Sequence, residues 1–126
     1  METTNRKFDL EDRLIDFAID ISDIVEILPG TRLGNQIAGQ LIRCGTSPAL
    51  NYGEAMSAES TNDFVHKMKI ILKELRESFV CLKIIKRKPL IEPFEPYEPT
   101  YAENNELIAI FVKSIQTAKS NQLKKK

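Results

Sequence analysis

The chain carries little with which to do covalent or metal chemistry. Its 126 residues include one histidine, His66, and two cysteines, Cys44 and Cys81, which stand outside any CxxC pair. One imidazole with no second histidine or cysteine beside it cannot complete a zinc site. No Glu-x-x-His lies on an inward helical face, which argues against a di-iron bundle. No P-loop or GxGxxG pattern occurs, and no serine or cysteine is placed to pair with His66. The expectation is therefore no catalytic residue, no metal and no cofactor. Nor does any apolar run approach the ~18 residues that span a bilayer. The opening METTNRKFDLEDR is polar and acidic, with no signal-peptide core. These absences point to a cytoplasmic chain without a membrane partner. In a reducing compartment its two thiols serve as small core residues.

Net charge is also absent. Eighteen basic and 18 acidic residues cancel, and the hydrophobic class makes up 42%, an ordinary globular composition for one domain, residues 1–126. The cancellation hides a strong polarity. Met1 to Glu26 holds three basic and eight acidic residues, whereas His66 to Lys88 holds eight basic and two acidic. A local patch acts on a partner even where the total does not.

What is present in abundance is helical periodicity. Leu10, Leu14, Phe17, Ile21, Ile24 and Leu28 recur every three or four residues, which predicts a first helix over about 10–28. Asp9 is a candidate N-cap, and Pro29-Gly30 stops the segment. A second helix, about 31–56, is capped by Thr31 and seamed by Leu33, Ile37, Leu41 and Cys44. Its small Gly34, Ala38 and Gly39 admit a close neighbour. Pro48 lacks an amide hydrogen and predicts a kink or break near Ser47.

The third helix, about 62–86, has Ser60, Thr61 and Asn62 as caps. Its main seam is Phe64, Met68, Ile71, Leu75, Phe79, Leu82 and Ile85. A second apolar set, Val65, Ile70, Leu72, Val80, Cys81 and Ile84, widens the band beyond one stripe. That surplus predicts burial on a second side by self-association, the alternative being that packing within one bundle covers all of it. KPLIEPFEPYEPTY then supplies a connector over 89–99 that should run extended, pinned by Phe94, Tyr97 and Tyr101. A fourth helix, about 101–119, opens with a capping box from Thr100 to Glu103 and has Ile108, Phe111, Ile115 and Ala118 as its seam. The end, KSNQLKKK, should fray. No strand alternation or internal repeat appears. The predicted fold is all-α, an antiparallel up-and-down four-helix bundle.

The run from Arg43 to Ile85 carries a recognisable pattern: Arg43, Thr46-Ser47, Asn51-Tyr52, Glu54-Ala55, Ala58-Glu59-Ser60, Asp63 to Lys67, Lys73-Glu74 and Arg76-Glu77. Leu28-Pro29 and Gln40-Leu41 upstream fit it, as do Glu106-Leu107 and Ser114-Ile115-x-Thr117-Ala118-Lys119 downstream. These residues resemble the four-helix-bundle proteins first noticed in intervening sequences of bacterial 23S ribosomal RNA genes. That family also includes the accessory variability proteins of diversity-generating retroelements. The resemblance implies a bundle that forms rings, most often of five subunits, that is not an enzyme, and that associates with nucleic acid. Pro48 and the long proline-rich loop after Lys88 depart from the family pattern.

Two constellations are candidates for function. Lys69, Lys73, Arg76, Lys83 and Arg87 fall on one ridge of the third helix and suit successive phosphates, with Lys124, Lys125 and Lys126 as an addition. The competing reading pairs that ridge with Asp12, Asp16, Asp20 and Asp23 of the first helix, within or between subunits. Second, Arg43, Ser47, Asn51 and Glu54 share a face that Glu74 and Glu77 can meet, with Arg43 forking onto a carboxylate. The plain reading of that cluster is a hydrogen-bonded network that fixes register. The leading expectation is a nucleic-acid-associated adaptor or scaffold that binds RNA or DNA. The alternative is an interaction module that takes a protein partner and touches no nucleic acid.

Overall fold

The computed structural model describes residues 9–124. Four helices account for nearly all of them: α1 Leu10–Glu26, α2 Arg32–Met56, α3 Thr61–Arg87 and α4 Glu98–Lys124. They pack as a bundle around one core. Leu14, Phe17, Ile21 and Ile24 of α1, Leu41 of α2, Met68, Ile71, Leu75, Leu82 and Ile85 of α3, and Leu107 and Phe111 of α4 are all withdrawn from water. α2 lies against α1 and α3, and α3 against α2 and α4, while the α1–α4 seam is the most lightly packed. None of the described helices is long and apolar enough to cross a membrane.

Local chemistry sets the helix starts. Thr31 caps α2 by accepting from the Gly34 amide at 3.0 Å, and Ser60 caps α3 by accepting from the Asp63 amide at 3.0 Å. Asp9 occupies the N-cap position of α1, but its side chain makes no capping hydrogen bond. Gly45 matters for packing. A Cβ there would stand 2.7 Å from Ile21 Cγ2, so only a bare α-carbon lets α1 and α2 approach this closely.

Several expectations need correction. α2 is one continuous helix through Pro48. The proline removes one backbone hydrogen bond, but its ring is buried in the bundle, and packing along the rest of α2 holds the segment helical. The connector is not extended. Ile91 and Phe94 are buried, and a short 3-10 turn, Glu95–Tyr97, leads directly into α4. α4 therefore starts at Glu98, before the expected Thr100. Pro99 is tolerated because a first-turn residue has no intrahelical acceptor for an amide hydrogen. Thr100 is buried inside the helix, so the expected capping box does not form. α4 also continues to Lys124 instead of fraying near residue 119, and Gln122 Nε2 donates to Asn62 Oδ1 at 2.9 Å. Lys125 and Lys126 lie outside the described residues.

The apolar surplus of α3 is real but smaller than its sequence suggests. Val65, Leu72 and Cys81 are buried by the chain's own helices, whereas Ile70 and Val80 remain 41% and 53% exposed. Ile15 and Ile19 of α1 are exposed as well, at 42% and 55%.

Candidate interaction surface on α3

The outer face of α3 carries the candidate cations. Lys69, Lys73 and Arg76 rim a shallow groove floored by Leu72 and Val80. A second groove continues past Val80, bounded by Leu33, Lys83, Ile84, Arg87 and Lys88. The expected ridge is thus divided into two clusters that share Val80. Lys83 leans away from the others, with Nζ 4.6 Å from the centre of the Phe79 ring. Lys73 Nζ stands 4.0 Å from Glu77 Oε2, both exposed, a separation that contributes little. No carboxylate among the described residues pairs with Lys69, Arg76 or Arg87.

One further cation joins the first cluster. Lys119 of α4 sits beside Lys69, and contact with that amine, reinforced by its charge, pushes Lys119 below the ordinary lysine value. Two like charges are held together here across the α3–α4 seam. Sequence reading missed Lys119 because the register between α3 and α4 is not written in either helix. Lys67 and Lys86, by contrast, are engaged. Lys67 pairs with Asp63 at 3.2 Å, and Lys86 pairs with Glu98 at 2.8 Å while lying 4.7 Å from the centre of the Tyr101 ring.

The acidic ridge does not meet the basic one inside the chain. α1 packs on α2 and α4, which places Asp16 and Asp20 in a cleft with Arg13, Phe17, Glu103 and Glu106. Arg13 forks onto Glu103, with Nε at 2.9 Å and Nη2 at 2.6 Å, and Nη2 reaches Glu106 at 3.2 Å. These bonds and charges raise the Arg13 pKa further. The Asp20 carboxyl is pushed up by burial and by the neighbouring carboxylates of Asp23, Asp16 and Glu103.

Of the six-residue polar cluster, α2 and α3 bring together Ser47, Asn51 and Glu74. Burial and the nearby Glu77 raise Glu74, while Asn51 and Ser47 oppose the shift. Its Oε1 is buried without a hydrogen-bond partner. Arg43 is not part of this group: it is exposed and donates to Gln40 Oε1 at 2.9 Å. Glu54 is exposed on the outer side of α2. The expected Arg43–carboxylate fork is absent because Arg43 lies on the solvent side of α2, away from the Glu74 seam.

A polar pair that the sequence did not announce lies deeper. Ser78 and Asn104 are both sealed from solvent between α3 and α4. Asn104 Nδ2 donates to the Leu75 carbonyl at 3.0 Å, and Ser78 Oγ stands 2.9 Å from Asn104 Oδ1. Cys44 and Cys81 are buried free thiols from α2 and α3. Contact with Cys81, together with burial, pushes the Cys44 thiol far up, so it stays protonated. His66 is exposed near the start of α3. Among the described residues no cluster of three His, Cys, Asp or Glu side chains is arranged to hold a metal ion.

This architecture has a counterpart among solved structures. The chain is similar to a crystal structure described as a protein with unknown function from the S23 ribosomal protein family, from Bacteroides thetaiotaomicron VPI-5482. The two share 29% identity with a TM-score of 0.71 over 83% of this chain and 96% of that one. No family model and no curated protein matches the chain. The similarity supports a relationship to the S23 family at the level of fold and sequence.

Proposed function

We propose that this chain is a non-enzymatic, cytoplasmic scaffold that assembles with copies of itself and contacts nucleic acid through one end of α3. The observation that carries this reading is the Lys69–Lys119 pair. Two amines from different helices stand together in solvent, with Lys73 and Arg76 on the following turns. Like charges so placed repel, and a phosphate between them relieves that repulsion. The ribosomal name of the similar family agrees with such a ligand, as does the resemblance to proteins of 23S ribosomal RNA intervening sequences.

The up-and-down antiparallel arrangement belongs to the same proposal. Asn62 meets Gln122 while Ser78 meets Asn104, so positions advance along α3 as they recede along α4. Exposed Ile15, Ile19 and Val80 support self-association. The resemblance makes a ring of five the expected form.

The test is binding of labelled single-stranded RNA and duplex DNA by fluorescence anisotropy across a salt series. Affinity should fall steeply with salt, with a logarithmic slope of about −0.7 per phosphate contact on single strands. Lys69→Glu combined with Lys119→Glu should abolish binding and leave the helical signal unchanged. No binding of either nucleic acid at low salt overturns the reading.

A second reading has its own support. The grooves on α3 have apolar floors of Leu72, Val80, Ile84 and Leu33. Phosphates have no use for such a floor, whereas a protein partner does. A chain that binds no nucleic acid but co-purifies with one protein at fixed stoichiometry would be the interaction module.

A further inference from the structure

Two faces of the bundle complement each other yet cannot meet within one chain. On α1, Ile15 and Ile19 stand exposed one turn apart, bordered by Asp12, Asp16 and Asp23. On α3, the second groove has an apolar floor of Leu33, Val80 and Ile84 and a cationic rim of Lys83, Arg87 and Lys88. The spacing agrees. Ile15 to Ile19 and Val80 to Ile84 each advance four residues, about 6 Å of helix. The charges agree too, a carboxylate border against an ammonium and guanidinium rim. Because α1 and α3 each pack on α2 and α4, they occupy opposite corners of the bundle.

We infer that the occupant of this second groove is the α1 edge of a second copy of the chain. Ile15 and Ile19 settle over Val80 and Ile84, while Asp12, Asp16 and Asp23 face Arg87 and Lys88. The contact joins unlike faces, so each copy offers one donor edge and one acceptor groove. Such a head-to-tail contact propagates until it closes as a ring. The amines of Lys69 and Lys119 lie at the other end of α3 and stay outside it. This inference rests on the self-assembly part of the proposed function and names the surfaces that perform it.

The alternative occupant is nucleic acid spreading along all of α3. It gives the rim a role but leaves the apolar floor and the two exposed isoleucines without one. Desolvating Val80 and Ile84 against Ile15 and Ile19 uses both.

The experiment is charge reversal read by multi-angle light scattering and sedimentation at micromolar concentration. Asp16→Lys with Asp23→Lys reverses the edge, and Arg87→Glu with Lys88→Glu reverses the rim. Each pair should raise the dissociation constant of the assembly at least about tenfold, since like charges then face each other. The quadruple variant restores opposite charges and should regain the parent mass. Ile19→Ser should weaken association without loss of helicity, because Ile19 is largely exposed in one chain. Reversed variants that keep the parent mass overturn the inference and leave nucleic-acid binding intact. So does a rim reversal that abolishes RNA binding at unchanged mass, which would assign the groove to nucleic acid. A parent chain that is monomeric overturns the self-assembly reading itself.

Discussion

The two faces of α3 differ in how their side chains are satisfied. On the inner face, Leu75 is sealed in the core and Ser78 shares its hydrogen bonds with Asn104. Both polar groups of that pair find partners within the same chain, whereas Glu74 Oε1, on the side of α3 that faces α2, does not. On the outer face, Lys69, Arg76 and Arg87 have no carboxylate partner among the described residues, and Val80 is left half in water. The inner face holds the bundle together, and the outer face is the surface to which the proposed function assigns association. A helix amphipathic in the ordinary sense would carry a neutral, mixed outer surface. This one carries a cationic, partly apolar surface.

That contrast predicts a graded set of responses. Leu75→Ala should have the largest effect on folding, about 2–5 kcal/mol from lost burial and the cavity left behind, measured by urea denaturation. Asn104→Ala removes the partner of Ser78 inside the core and should cost about 1–3 kcal/mol. Gly45→Ala brings a Cβ against Ile21 and should cost about 1–3 kcal/mol by forcing α1 away from α2. A near-neutral result for Asn104→Ala would show that the inner face tolerates an unmatched polar group, and the contrast between the faces would weaken.

Glu74 sits between these extremes. Its folded pKa is raised above the ordinary 4.5, so the folded state holds its proton more tightly than the unfolded one. It therefore imposes no penalty at low pH. The penalty appears as pH rises through 4.5 and is complete above the folded value. Glu74→Gln should stabilise the chain at pH 7 by less than about 1 kcal/mol, and thermal melts should show the gain fading below pH 4.5. At the outer face, Lys69→Glu should change stability by no more than about 0.5 kcal/mol. The same variant should show a large loss of RNA affinity. A substantial stability loss from it would mean that the outer face is also held by its own chain.

The α1–α4 seam sharpens the comparison from another side. It is lightly packed, and the Arg13 fork onto Glu103 and Glu106 ties it together. At this seam Arg13 is matched by carboxylates while Asp20 is crowded by others of its own sign, and at the Lys69–Lys119 seam two amines stand together. The sequence offered Glu103 as a capping residue, because Thr100 and Glu103 have the spacing of a capping box. Local spacing could not disclose that Pro96 and Pro99 would begin helical turns earlier and release Glu103 to reach Arg13.

The sequence by itself indicated four helices, most of their apolar seams, the cap at Thr31 and three candidates, Ser60 among them, for the cap of α3; Leu107, sealed in the core, lay outside the seam expected for α4. Periodicity, breakers and first-turn hydrogen bonds act within a few residues and are written along the chain. It also determined the polarity, acidic in α1 and basic in α3. Only the tertiary structure decided which groups meet: Arg13 with Glu103 across 90 positions, Lys69 with Lys119, Ser78 with Asn104, and Gly45 under Ile21. The physical reason is that a helix's own pattern fixes which face it buries, while its axial register and rotation against a neighbour come from how both surfaces interlock. Pro48 shows the same hierarchy, since packing along all of α2 outweighs one missing backbone hydrogen bond.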